Sequence, residues 1–272
     1  LTAMSMRLAL ALPFFVFLAC LPARKTKRSQ PHKDWKTIGL VLWLGFCGYY
    51  FAGLSNFTGL TYISAGLERL VLFSYPILVV FIEALWQKRR PSLALLKGAS
   101  LCYLGLAAAF IHDLSYQSNF QQTAMGAAFV LASGLAFALY YLGAGKAVKI
   151  LGSRHLTAWA GLSACVLMSF HFYFFGQHQE LQQITISGWL YLFIISVPCT
   201  VLPALLLTAA IDRVGPSTAA NIATIGPMVT IALGWWVLSE AFSFMQLVGM
   251  TLVVIGIRVV QSQTTKKPRL NH

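Results

Sequence analysis

Long apolar runs separated by short polar connections dominate this chain, and none shows the alternating polarity of a half-buried strand. Nine runs read as helical spans, at about 2–21, 37–57, 63–86, 94–112, 124–146, 156–175, 187–211, 214–238 and 245–262. Each has the length that carries an α-helix across a bilayer, whose hydrocarbon core offers backbone N–H and C=O groups no partner outside the helix. The connections are short except for a basic linker at 22–36 and polar stretches at 113–123 and 176–186, so there is no room for a soluble domain. The expected class is an all-α polytopic membrane helix bundle.

Composition agrees with the pattern. The mean hydropathy is +0.71, 58% of residues are hydrophobic and only 10% are charged, against about a quarter charged in soluble proteins. Five cysteines, Cys20, Cys47, Cys102, Cys165 and Cys199, all lie in apolar segments without paired spacing. They read as thiols that fill helix packing, not as a disulfide framework or a zinc site.

The runs also repeat. Displacing the chain by 151 residues puts Pro76 on Pro227, Gly98 on Gly249 and Gly105 on Gly256 without a gap. Leu54/Leu205, Ser92/Ser243, Leu96/Leu247 and Leu101/Leu252 share the offset. Internal repeats of this kind mark many transporters, in which two related halves enclose a site near the bilayer midplane.

A net charge of +13 would suggest nucleic acid in a soluble protein, but here the basic residues alternate from one connection to the next. Loop 22–36 holds six, 87–97 four, 146–155 three, the turn at Arg213 one, and the end of the chain from Arg258 onward four. These account for 18 of the 20 basic residues, whereas the intervening connections hold none and carry Asp113, Glu180 and Glu240 instead. The basic side is therefore expected to be cytoplasmic, with the C-terminus in the cytoplasm and the protein multi-pass in the cytoplasmic (inner) membrane. The Pro76 span then runs inward and the Pro227 span outward, so the repeat is inverted, as an odd number of spans per repeat requires. Two five-helix repeats need ten spans, and nine are present.

Leu1, Thr2 and Ala3 match Leu156, Thr157 and Ala158, near the start of the second span of the second repeat. One apolar helix of about 25–30 residues with its leading loop is accordingly expected upstream. The competing reading, a cleaved signal peptide at 1–22, places its basic residues after the apolar run and not before it. The domain organisation expected is 1–119 for the first repeat, short of its first helix, and 120–272 for the second repeat with a short basic cytoplasmic tail.

The segments GLERLVLFSYPILVV at 66–80, with Pro76, and TAANIATIGPMVTIALGWWVLSEAFSFMQLVGMTLVVIGI at 218–257, with Pro227, Glu240 and Gly249, resemble the EamA type of the drug/metabolite transporter superfamily. Arg7 in an early apolar span adds to the likeness, which covers essentially the whole chain. Two features depart from the family pattern: the first helix is absent, and Arg89 in WQKRRP stands where the second repeat has Glu240. The resemblance implies ten helices in two inverted repeats and a transporter, nearer to exporters than to importers.

Candidate pathway residues follow from polar groups inside spans. Arg7, Glu68 and Arg69 are the clearest ionisable ones, each costing about 2.5–3.5 kcal/mol at a helix centre. The topology places them within about two turns of the exterior face, where long side chains can snorkel and a carboxylate near a helix N-terminus is favoured. Glu68 and Arg69 point in different directions on one helix, leaving Arg7 as the candidate partner for Glu68. The cluster reads either as structural or as a substrate or gating site. Ser217, Asn221, Thr224 and Met228 share a helix face whose polar groups either hold helices together or line a cavity; Pro227 frees a carbonyl one turn earlier, around Ala223, which favours cavity lining for Asn221, with Thr224 and Pro227 as further pathway candidates. The first repeat does not mirror this stripe: its Pro76 helix places Ser64, Glu68, Leu72 and Tyr75 on a face instead, so any site is expected to be asymmetric. Tyr49/Tyr50, Tyr140/Tyr141 and Trp235/Trp236 are aromatic pairs that either pack or stack on a planar solute, with Tyr50 and Tyr140 the candidates. Trp35, Trp86 and Trp189 sit at span ends as interface anchors. Pro198 and Pro203 flank Thr200 and should bend their helix, and the lone His171 should be packed and hydrogen-bonded.

The leading functional expectation is a secondary transporter of small organic metabolites such as amino acids, working by alternating access. No nucleotide motif appears, so no cofactor is expected and a gradient or the solute itself supplies the energy. The partners expected are a small metabolite and the lipid bilayer, with a homodimer allowed and nucleic acid excluded. The alternatives are a non-transporting or degenerate membrane partner, and a multispan membrane enzyme. Seven scattered acidic residues and no HxxxD or HExxH arrangement count against the enzyme.

Overall fold

Helices form wherever the apolar runs demand them. The computed structural model describes residues 2–22, 35–88, 92–117, 119–176, 181, 184–223 and 244–264. In chain order these hold α1 (Thr2–Cys20), α2 (Trp35–Gly59), α3 (Ala65–Trp86), α4 (Leu93–Gln117), α5 (Phe120–Leu151), α6 (Ser153–Phe175), α7 (Ile186–Val214), α8 (Pro216–Ile222) and α9 (Phe244–Thr264). They follow the nine expected runs, although most of the 214–238 span lies outside the described residues. Helices α1, α2, α3, α5, α6 and α7 are long and apolar enough to cross a membrane, and α4 and α9 carry shorter apolar stretches, Leu93–Ala108 and Leu247–Val260. The chain is a polytopic helical membrane bundle. Trp35, Trp86 and Trp189 are all exposed near helix ends.

Several helices outrun their apolar stretches. α4 continues to Gln117 and α5 begins at Phe120, so most of 113–123 is helix where a loop was expected. Hydropathy marks the thickness of the hydrocarbon, whereas the i→i−4 ladder continues into the polar interface at little cost. α5 likewise passes Lys146 and Lys149 before ending at Leu151; Gly152 follows with φ 75° and ψ 157°, a conformation open essentially to glycine alone.

Helix α3 is not continuous. It breaks between Ala65–Leu72 and Tyr75–Trp86, because Pro76 has no N–H to give the Leu72 carbonyl. Ser74 occupies the break, its Oγ donating to the Val71 carbonyl at 2.8 Å. The face drawn through Ser64, Glu68, Leu72 and Tyr75 on an unbroken helix is therefore interrupted before Tyr75.

The chain divides into two compact units, one of Leu1–Phe57 with Leu139–Ala219 and one of Thr58–Ala138 with Ala220–His272. The division does not follow the repeat. The first unit takes α1 and α2 from one half of the chain and α6 and α7 from the other, which the 151-residue offset relates as α1/α6 and α2/α7. The second takes α3 and α4 together with α9, the equivalent of α4.

In the first unit α1 packs along α6, and each reaches the other's neighbour, α6 to α2 and α1 to α7. Met4, Leu8, Ala11, Phe15, Cys165, Met168 and Val201 form its buried core. The Cys165 thiol donates to the Leu8 carbonyl at 3.2 Å, and the buried hydroxyls of Thr157 and Thr208 meet at 2.6 Å. Cys47, Cys102 and Cys165 are buried as expected of packing thiols, whereas Cys20 and Cys199 are exposed, a position that an apolar thiol tolerates against lipid.

In the second unit α4 and α9 lie antiparallel in close contact, with α3 packed on both. A Cβ on Gly98 would stand 2.4 Å from the Gly256 carbonyl oxygen, and one on Gly105 would stand 2.3 Å from that of Gly249. The offset carries Gly98 to Gly249 and Gly105 to Gly256, so it exchanges one contact for the other. The neighbours exchange as well: Gly256 faces the Leu101 Cβ and Gly105 the Leu252 Cβ. Helices in lipid associate through such close packing, since apolar burial favours neither the pair nor the separate helices.

Candidate functional site

Helix α2 changes its winding at Phe46–Phe51, where a π-helical turn ends with the Ala52 N–H on the Cys47 carbonyl. Helix α7 does the same at Val197–Val201, closing with the Leu202 N–H on the Val197 carbonyl. Adding 151 to Phe46 gives Val197, so the two irregular turns occupy equivalent places in the two halves. In α7 the cause is visible in sequence. Pro198 and Pro203 cannot donate to the carbonyls four residues back, and i→i−5 bonds take over. The Thr200 hydroxyl completes the repair, donating to the Ile195 carbonyl at 2.8 Å. The expected bend near Thr200 is thus a π turn in which Thr200 serves its own backbone.

In α2 no proline marks the turn. There Gly48 lies under the Tyr140 ring, and a Cβ at that position would sit 2.3–2.9 Å from three ring carbons. The turn lets two consecutive tyrosines reach two different helices. Tyr49 meets Tyr140 of α5 edge-on, ring centroids 5.5 Å apart and hydroxyls 3.3 Å apart. Tyr50 meets His171 of α6, with its hydroxyl 2.6 Å from Nδ1. Phe15 lies edge-on to Tyr49, and Phe175 edge-on to the His171 ring. His171 is therefore packed and hydrogen-bonded, as its lone apolar setting suggested. Tyr140 is only 1% exposed, so its ring packs within the unit.

The Tyr50–His171 bond yields a simple test. Tyr50→Phe keeps the ring and removes one hydrogen bond, and should lower the unfolding free energy by about 1 kcal/mol. Denaturant titration of the purified protein in micelles measures it, and an unchanged midpoint would show that the bond contributes nothing.

Arg7, a buried-span cation on α1, places its guanidinium carbon 5.3 Å from the centroid of the Phe57 ring. Its Nη2 approaches Gly53, and its Nε is buried with no hydrogen-bond partner among the described residues. Asn56, beside Phe57, buries Oδ1 equally unpartnered.

In the second unit Ser64 caps the first piece of α3, its Oγ accepting from the Leu67 N–H at 3.2 Å. Glu68 stands in the first turn of that piece and is 6% exposed, a position where the helix dipole favours a carboxylate. Arg69 buries Nη1 without a hydrogen-bond partner among the described residues. Tyr75 and Pro76 open the second piece of α3, with the buried Tyr75 ring edge-on to Phe137 at 5.3 Å. Glu83 accepts from the Gln87 amide at 3.3 Å. Asn221 falls within α8, while Thr224, Pro227 and the Trp235/Trp236 pair lie outside the described residues. Among the described residues no three His, Cys, Asp or Glu side chains converge to hold a metal ion.

Sequence reasoning paired neither Tyr50 with His171 nor Arg7 with Phe57. The π turn of α2 was also hidden, although moving the Pro198/Pro203 region back by the offset would have pointed to it.

The chain is similar to YcbK, an uncharacterized transporter of Bacillus subtilis (strain 168), at 28% identity over 96% of this chain and 84% of the relative. An uncharacterized transporter of Archaeoglobus fulgidus is 23% identical over 90% of this chain and 83% of its own length. A solved protein crystal structure shares the fold with a TM-score of 0.65 at 17% identity, covering 98% of this chain and 88% of that one. The model of the EamA-like transporter family matches residues 1–111 and 124–261. A polytopic bundle matched over nearly its whole length by that model belongs to the EamA-like transporter family.

Proposed function

We propose that this membrane transporter is a secondary exporter of small organic metabolites such as amino acids, working by alternating access with two inverted repeats, 1–119 and 120–272. What supports the reading most is the 151-residue offset, which relates the two π turns and exchanges the glycine contacts of α4 and α9. Related halves that can trade conformations are what alternating access needs. The π turns serve as its hinges, in keeping with the frequent occurrence of single π turns at functional sites in helices. The basic connections and the C-terminus face the cytoplasm, and the membrane is the cytoplasmic one, in line with the alternation of lysine and arginine. The chain carries solute and performs no catalysis on it.

The residues proposed for the pathway are Arg7, Tyr50, Glu68, Arg69, Tyr75, Pro76, Tyr140, Thr200, Asn221, Thr224 and Pro227. A metabolite profile of cells with and without the gene tests the assignment: at least one small organic compound should be lost to the medium only when the gene is present. Equal profiles inside and outside would count against export. Glu68→Gln should reduce the loss at least tenfold if Glu68 acts on the solute or the gate, and unchanged export would remove it from the pathway.

A further inference from the structure

We propose that Arg7 is the docking point for an anionic group of the solute, a carboxylate or phosphate oxyanion. The inference rests on the transporter reading and narrows its substrate class.

A guanidinium is charged at every accessible pH and carries five N–H donors but no acceptor. Placed within an apolar helix, it is stabilised only if an anion or several acceptors meet it. Arg7 is not so met. Phe57 supports the cation through its ring and uses no N–H, and Nε is buried without a hydrogen-bond partner among the described residues. The one carboxylate among the described residues of the first unit is Asp212, in the last turn of α7. That turn lies beside the start of α6, where Thr208 meets Thr157, whereas Arg7 is level with its middle, where Leu8 meets Cys165, about two turns away. Asp212 is thus too far along the unit to neutralise Arg7.

A positive fork held by an aromatic ring, with a donor left over, is suited to a planar or tetrahedral oxyanion. A purely cationic or apolar solute satisfies neither the donor nor the charge.

The test combines stabilisation with transport, on the full chain purified in detergent and reconstituted in vesicles. Thermal unfolding is followed at constant ionic strength with L-serine, succinate, glycerol 3-phosphate, putrescine and glycerol. At least one of the three probes with an anionic group should raise the melting temperature, and putrescine and glycerol should not; the carboxylate and phosphate arms then tell which oxyanion is preferred. Arg7→Gln should abolish that shift and, because it removes a half-buried cation that no carboxylate meets among the described residues, leave the ligand-free melting temperature equal or higher. A side chain retained only for structure would give the opposite, a lower ligand-free melting temperature with the shift intact. Should Arg7→Gln fail to fold, Arg7→Lys decides: it keeps the charge, loses the planar fork and should weaken binding of the same probe at least tenfold. No shift with any anionic probe, or an equal shift in the variants, overturns the assignment. Counterflow separates this from the transporter reading. Movement of only neutral or cationic probes, unaffected by Arg7→Gln, keeps transport and removes the anion site, whereas anion-dependent stabilisation without movement of any probe keeps the site and counts against transport.

Discussion

Gly105→Leu should leave little or no folded protein, and Gly105→Ala and Gly256→Ala should each lower stability by a similar amount. At Gly105 a Cβ would lie 2.3 Å from the Gly249 carbonyl oxygen, and at Gly256 it would lie 2.5 Å from that of Gly98 and 2.9 Å from the Cys102 nitrogen. These neighbours are backbone atoms, which cannot turn aside as the end of a side chain can. A single methyl must therefore push α4 and α9 apart, at about 1–3 kcal/mol in a well-packed core. A leucine would separate them along their contact, and in lipid little apart from packing draws the helices together again. Gly39→Leu is the control, because nothing lies within 4 Å of a Cβ there. Thermal unfolding and size-exclusion profiles in detergent measure all four variants. Equal stability of Gly105→Leu and the parent protein would contradict the close approach, and a large difference between Gly105→Ala and Gly256→Ala would contradict their equivalence.

Deleting Cys47 should have the reverse outcome, a folded protein that no longer transports. A π turn is a helix carrying one extra residue, so removing one from Phe46–Phe51 restores i→i−4 bonding while the flanking segments keep their faces. The helix becomes more regular, which offsets the lost Tyr50–His171 hydrogen bond, so the protein should still fold. The cost falls on Tyr49 and Tyr50, which the π turn directs to Tyr140 and His171. Deletion of Pro198, the equivalent position in α7, is expected to act in the same way. Transport should fall at least tenfold in either deletion, assayed in vesicles beside the melting temperature. Full transport by both deletions would show that the turns are not hinges.

The spans were legible because lipid leaves the backbone no alternative: from Thr2–Cys20 to Phe244–Thr264 each apolar run is helical within a few residues, apart from the 214–238 run, most of which lies outside the described residues. The glycine positions were legible too, as matches at one offset, but not their contacts. A repeat says that Gly98 and Gly249 are equivalent, and does not say that Gly98 touches Gly256. The interleaving of the halves in two units was hidden for the same reason. Proline marked the irregular turn in α7, whereas Phe46–Phe51 achieves it with glycine and aromatics, which helical periodicity treats as ordinary helix. Tyr50 and His171 stand 121 positions apart, and no local pattern joins residues at that distance. For the candidate site the residue types were readable one by one; which donors lack partners, as at Arg7 and Arg69, was a property of packing alone.

Counterflow is the most direct test of the central claim. Vesicles containing the purified full chain are preloaded with an unlabelled mixture of amino acids and organic acids and given trace labelled members of the same set outside. At least one labelled solute should accumulate transiently against its own concentration, only in vesicles that contain the protein and not when the internal load is omitted. Uptake of every labelled solute equal to that of protein-free vesicles would contradict the account.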